Sequence, residues 1–468
     1  MSDSAQIAQM QADFGEALDT IWMLLATMLV FFMHAGFSML ESGTVRVKNV
    51  QNILTKNLLV VCLGFLCWWA LGYGFAFGVV NENPNKFMGA SEMFMDGFGD
   101  TKGKYRFWLF QGAFCATGAT IVSGAMAERT TLKSFIPFTI LMTTVIYPIV
   151  VYWGWSGSGM LSYTDEKGES KSVAGPALID FAGSGLVHLT GGVAALCGAA
   201  IVGPRHQRFD PAAADEFGAH NVPFCVLGTF FLWFGWYGFN AGSTGSMHDA
   251  VTANTAGLVA VNTTLAPCIA GMVVFGLRAL VLEPKLLDVG AFCNGILAGL
   301  VSITAGCAVV KSWESILIGL IGGFIYQGTS MLMLKLGIDD VVDAFAVHGA
   351  CGLWGIVACG FFGSDKEWMG GNGLLYGGDQ LRTQLFAGFM VIIWVAGISA
   401  PFFLALNMGG LLRLSDDFQI AGADAKEHSP VKAYTQEHTT VRTQTVAVVP
   451  TSTTTVHPIN GFEEKVQK

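Results

Sequence analysis

Eleven apolar runs alternate with short polar segments along the chain, at about 20–41, 57–80, 107–128, 134–154, 177–201, 223–242, 252–276, 288–309, 313–334, 340–363 and 384–410. Each is close to the roughly 20 residues that a helix needs to cross a bilayer core. Every Lys and Arg lies outside these runs, as expected where burying a cation is costly. The pattern predicts an all-α integral membrane protein with eleven transmembrane helices. Past residue 411 the pattern stops, and residues 427–468 are polar, Thr-rich and poor in aromatics. That composition reads as disordered. The chain thus divides into an N-terminal segment at 1–19, a transmembrane domain at 20–410 and a tail at 411–468.

Composition narrows the class. Of 468 residues, 52% are hydrophobic and only 13% charged, about half the charged share of a soluble chain. Mean hydropathy is +0.53. Those values exclude a soluble enzyme and a disordered protein, and a net charge of −9 excludes a nucleic-acid binder. The 59 glycines suit close helix packing in a bilayer. All ten cysteines fall within apolar runs and form no CxxC. They read as small packing residues, so neither a disulfide framework nor a metal site is expected, and no cofactor.

Loop charges set orientation. With the N-terminus outside, ten basic residues face the cytosol and nine face out, which is nearly neutral. Arg413 just past the last run, and the flank of Asp3, Asp13, Glu16 and Asp19 without Lys or Arg, tip the balance. The expectation is N-out and C-in at the plasma membrane. The same acidic flank is unlike the positive start of a cleavable signal.

Ionisable residues inside spans mark functional sites by default. Here they are His34, Asp180, His188, Asp340, Asp343 and His348, with Glu41 and Glu128 at span ends. Two segments match: Asp180 precedes His188 by eight residues in the fifth run, and Asp340 precedes His348 by eight in the tenth. An odd separation of five spans makes runs 1–5 and 6–10 candidates for an inverted 5+5 repeat, whose interface would hold the substrate near the midplane. A neutral imidazole carries one donor and one acceptor nitrogen. Two of them can share a proton and bind a small polar molecule. Asp180 and Asp340 stand where a carboxylate caps a helix start.

Aromatic residues complete the pattern. Trp236, Phe239, Asn240 and Ser243 fall on one helix face. Phe110 and Phe114 share a face of the third run, and Trp155 ends the fourth. A desolvated cation over an aromatic face gains up to about 2 kcal/mol. Moving it into a dry bore costs about 20 kcal/mol in the idealised limit. The magnitudes favour recruiting a cation and passing its neutral form.

The segments DFAGSGLVHLTGG, FGWYGFNAGS, FQGAFCATGATIVSGAMAER and DAFAVHGACG resemble those of the ammonium transporter (Amt) family, over roughly residues 15–415. The resemblance implies eleven helices with a pseudo-twofold repeat, and a homotrimer with one pore per subunit. It implies twin pore histidines at His188 and His348, and a phenylalanine gate of Phe114 and Phe239. It places an external ammonium site at Phe114, Trp155 and Ser243, with Trp153 as the alternative to Trp155. Trp236 and Thr304 would line the pore, and Asp180, with Asp340 as its repeat mate, would support it. The related Rh proteins generally lack the external Trp and Ser. Substrates would be ammonium or ammonia, with methylammonium as an analogue, carried across a lipid bilayer.

The proximal tail reads GADAKEHS from Gly422 to Ser429, where family tails commonly read close to GLDxxEHG. Ala423 and Ser429 depart from that pattern. The Thr-rich stretch beyond is a candidate for phosphorylation and for a regulatory protein or kinase. An ammonium sensor of the same fold, signalling through its tail, is the alternative function. An intramembrane metalloenzyme has no HExxH to support it.

Overall fold

A backbone in a lipid environment must satisfy its own N–H and C=O groups, and a helix does so within one segment. The computed structural model describes residues 3–78, 85–99, 101–364 and 372–434. Its main helical segments are α1 (Asp3–Thr44), α2 (Val47–Phe77), α3 (Lys104–Ala125), α4 (Leu132–Trp155), α5 (Ser184–Val202), α6 (Val222–Thr244), α7 (Ala250–Val281), α8 (Val289–Thr304), α9 (Ser312–Lys335), α10 (Phe345–Phe362) and α11 (Gln380–Met408). Nine of these, among the described residues, are long and apolar enough to cross a membrane. Helix α8 is apolar but has only 16 residues. In α3 the buried Gln111, Thr117, Thr120 and Ser123 dilute the apolar character.

Every apolar run carries a helix, but several boundaries differ from the sequence pattern. Helix α1 starts at Asp3, so the segment at 3–19 continues the first helix instead of preceding it. Helix α2 takes in Lys56, which is buried and donates to the carbonyl of Thr130 at 3.0 Å. Basic residues are therefore not all outside the helices: a long side chain near a helix end reaches a loop carbonyl. Helices α5 and α10 begin later than their runs, at Ser184 and Phe345. Residues before them are extended or turned, because a carboxylate in each takes over the backbone donors. A four-stranded antiparallel sheet follows α4: β1 (Ser158–Gly159), β2 (Ser162–Thr164), β3 (Ser170–Ser172) and β4 (Gly175–Pro176).

Small residues set the packing. Helix α1 lies along α6, where Gly36 and Gly228 meet the partner's backbone. Missing side chains let the two backbones approach, as in membrane helix pairs generally. Two short tail helices, α12 (Asp416–Ala421) and α13 (Ala423–Glu427), return to the bundle. Asp424 accepts from the backbone N–H groups of Gln51 and Asn52, both at 3.0 Å, and so caps the start of α2. The Thr-rich stretch past residue 434 lies outside the described residues.

The same end of the bundle holds a buried charge network. Glu128 accepts from Arg46, from Asn49 at 2.9 Å and from Arg205 at 2.8 Å. Arg205 also forms a fork with Asp339 at 2.8 and 2.9 Å. Burial pushes the Glu128 and Asp339 carboxyls up, but the facing guanidiniums outweigh it. Arg205 and Arg46 hold Glu128 below its usual range, and Arg129 and Arg205 hold Asp339 well below. A carboxylate depressed in the fold contributes stability above its unfolded pKa, near 4, and loses it as pH falls through its folded value. The melting temperature of the detergent-solubilised protein is therefore expected to fall as pH drops from about 5 towards 3. Asp339→Asn should lower the neutral-pH value and flatten that slope. Parallel slopes for the two proteins would refute the assignment.

Candidate functional site

Two acids bend the chain ahead of two histidines. Asp180 Oδ1 accepts from Gly183 N–H at 3.1 Å, and Oδ2 accepts from Gly185 and Leu186 at 3.0 and 2.8 Å. This carboxylate occupies donors that a helix start leaves free. The turn passes through Gly183 at φ +104°, where a Cβ would sit 2.6 Å from Val187 and 3.0 Å from the Trp155 ring. Only glycine fits there. Asp340 Oδ2 plays the matching part with Phe345 N–H at 2.7 Å. Asp343, in the same turn, ties instead to Tyr326 and Ser330 on α9, both at 2.9 Å. Both helices then open with a π-helical turn, Ser184–Leu189 and Phe345–Ala350. Each turn carries its histidine.

The two histidines meet. His188 and His348 are buried, their Nδ1 atoms are 3.2 Å apart, and their rings lie within 21° of parallel. One ring donates and the other accepts, so the pair shares one proton. Backbone contact makes this possible: a Cβ on Gly192 of α5 would fall 2.2 Å from the Gly349 nitrogen of α10. Any side chain there would drive the two helices, and with them the two rings, apart.

Aromatic rings sit above the pair, towards the end of the bundle where α1 begins. Trp236 stacks on His188 at 5.2 Å, and its indole N–H donates to Thr304 at 2.9 Å. Phe239 lies 5.4 Å from His188. It stacks face to face on Phe114, with centroids 3.9 Å apart and planes within 14°. Phe110 packs on Phe114 at 4.6 Å. Beyond the stacked pair is a cavity of about 180 Å³ lined by Phe110, Gln111, Phe114, Trp155, Phe181 and Ser243. Trp155 crosses Phe114 edge-on at 6.0 Å and is held by the carbonyl of Asp180 at 2.8 Å. Ser243 donates back to the Phe239 carbonyl at 2.8 Å. Trp153 is elsewhere: it is buried against Phe87 and Trp394, with its N–H on the Phe87 carbonyl at 2.9 Å. Of the two tryptophans that the sequence left open, Trp155 lines the cavity.

Below the histidines, a second cavity is lined by His348, Phe37, Glu41, Val342 and Asn294. The sequence pattern marked Glu41 as a span-end acid but gave no reason to join it to His348. Gln111 and Phe181 of the upper cavity were missed as well, because a lone amide and a lone ring carry no signal of their own. His34 is buried on α1 against Phe31 and takes no part in this line of residues.

A bundle of apolar helices enclosing cavities, stacked rings and paired imidazoles defines a multi-pass membrane protein that handles a small solute. Comparison with known proteins names the solute. The sequence matches the Ammonium Transporter Family over residues 21–434. Ammonium transporter 1 member 3 of Solanum lycopersicum is 37% identical over 440 residues, covering 89% of this chain and 93% of its own. Ammonium transporter Amt2 of Archaeoglobus fulgidus is 38% identical, covering 88% of both chains. Among solved structures, a Sensor Amt Protein superposes with a TM-score of 0.79 at 32% identity, over 89% of this chain and 99% of its own. Mep2 of Candida albicans gives 0.74 at 30% identity, over 86% and 87%. The chain belongs to the ammonium transporter family, and ammonium transport is its activity.

Proposed function

We propose that this protein binds ammonium in the upper cavity and passes ammonia between the histidines. The observation that carries the reading is a continuous line of groups: the cavity at Trp155 and Ser243, the Phe114–Phe239 stack, then the His188–His348 pair. Rings and a hydroxyl suit a monovalent cation. The stack and the buried imidazoles below suit a neutral molecule with one lone pair. Ammonium meets both demands by giving its proton to external water above the stack, the N–H electron pair staying on nitrogen as the lone pair of ammonia. Potassium is similar in charge and has no proton to lose, so it stalls. Asp180 supports this line through the turn it caps, and Asp340 does the same for the second histidine.

The matching geometry of the two acid–histidine turns supports a 5+5 inverted repeat within eleven spans, with the upper cavity outside the cell and the tail in the cytosol. Exposed apolar rings and aliphatic residues along α1, among them Phe14, Ile21 and Met28, suit a lipid bilayer or the flank of a homotrimer. Plasma membrane is the location that fits uptake. The Thr-rich part of the tail is where a kinase or regulatory protein would act.

Uptake of labelled ammonium by cells lacking their own carriers tests the reading. Saturable uptake of ammonium, without passage of potassium, is expected. Trp155→Ala should raise the half-saturating concentration by about tenfold or more, from the loss of up to about 2 kcal/mol of cation–π contact. Trp153→Ala should leave that concentration unchanged in the protein that reaches the membrane. Surface-expressed protein that takes up no ammonium yet changes its tail on ammonium addition would replace transport with sensing.

A further inference from the structure

We propose that Glu41 is a proton-carrying site at the inner mouth, where ammonia leaving His348 becomes ammonium again. The inference rests on the transport reading. Glu41 is 1% exposed, on the last turns of α1, and shares its small cavity with His348. That cavity is about 10 Å³, near the room needed by one water-sized molecule.

The surroundings of the carboxyl accept either protonation state without moving a heavy atom. Asn57 donates to Oε2 at 2.7 Å, and its own oxygen accepts from Thr120 at 2.8 Å, which fixes the amide's orientation. Ser123 Oγ lies 2.9 Å from Glu41 Oε1 and 2.8 Å from the carbonyl of Thr120. A hydroxyl has one proton to donate. With Glu41 ionised, Ser123 donates to the carboxylate. With Glu41 protonated, the acid donates to Ser123, and Ser123 turns its proton to the Thr120 carbonyl. The group can thus load and release a proton by rotating one hydroxyl.

Among the described residues no cation forms an ion pair with it, and Lys56 is the cation that acts on it across the gap. Lys56 on α2 donates to the Thr130 carbonyl. Asp343, ahead of α10, is bonded to Tyr326 and Ser330, and Asp340 caps Phe345. Glu128, past α3, belongs to Arg46 and Arg205. Arg129 donates to backbone carbonyls. His348 is the titratable group that shares the cavity. Approach to α3 is close: a Cβ on Gly124 would fall 2.8 Å from Glu41 Oε1.

The step balances. The Glu41 O–H bond breaks with its electron pair left on oxygen, and the ammonia lone pair forms the new N–H bond. Carboxylate and ammonium then face each other until the ion leaves for the cytosol. Hydronium from cytosolic water restores the acid.

The test measures uptake of labelled ammonium into oocytes whose cytosolic pH is set by injected buffer. Wild type is expected to vary with cytosolic pH. Glu41→Gln should lower maximal uptake about tenfold, the effect of one charge-assisted hydrogen bond, and abolish the variation, with the external half-saturating concentration within about twofold. Ser123→Ala should displace the pH midpoint by about one unit. Glu41→Gln with wild-type uptake and wild-type pH response overturns the proposal. So does an unmoved midpoint in Ser123→Ala, which decides the matter if Glu41→Gln fails to reach the surface. A wild type without uptake removes the transport reading itself, and this inference with it.

Discussion

His188→Ala and His348→Ala are each expected to cut ammonium flux by about tenfold or more and to let potassium through. Each removal leaves the other imidazole nitrogen buried without its partner at 3.2 Å. An unsatisfied buried polar group costs about 1–3 kcal/mol, a factor of roughly thirty at the middle of that range. Alanine also opens a void beside Trp236 and Phe239, which pack on His188. On the proposed mechanism, a void able to take water would lower the desolvation barrier to a cation, and potassium would gain most. Voltage clamp in ammonium and then in potassium measures both effects. The two rings share one proton, so they act as a unit, and the double variant should lose little beyond the worse single one. Wild-type selectivity in both single variants would remove the histidines from the path. Ammonium uptake without current in the wild type would mean net passage of ammonia.

Asp180→Ala is expected to abolish transport and to lower surface expression. One carboxylate serves three backbone donors, at Gly183, Gly185 and Leu186. Truncation leaves all of them buried and unsatisfied, at about 1–3 kcal/mol each. The same turn carries the carbonyl that orients Trp155 and leads directly into His188. Loss of the turn therefore disturbs the cavity and the histidine pair together. Asp180→Asn keeps one acceptor oxygen and should retain part of the folded protein, read as surface biotinylation, with flux reduced in proportion. Asp180→Ala with normal expression and normal flux would show that the turn forms without its cap.

The wider fold was legible because lipid imposes a simple rule on a chain. Long apolar runs have to be helices, and the runs located every helical segment from α1 to α11. What the pattern misplaced were ends. Helix α1 runs back to Asp3, and Lys56 sits inside α2, because polar residues at helix ends find partners that a hydropathy pattern does not register. The late starts of α5 and α10 follow from Asp180 and Asp340, whose capping role the sequence did suggest.

The histidines were legible for a different reason. An acid eight residues ahead of a histidine, twice, is a rare coincidence inside apolar runs. Trp155 and Trp153 could not be told apart, since both lie in one aromatic stretch. Their difference is one of direction: one ring faces the cavity and the other faces Trp394.

By itself the sequence determined the class: a helical membrane protein, its apolar segments, the twin acid–histidine turns and the aromatic residues near them. Those properties depend on residue type and spacing along one segment. The tertiary structure alone decided which atoms meet. It brought Gly192 against Gly349 so that two imidazoles come within 3.2 Å, laid Phe114 on Phe239, and placed Glu41 in one cavity with His348. Such contacts join residues 125, 160 or 307 positions apart. They follow from how whole helices cross, which no local pattern encodes.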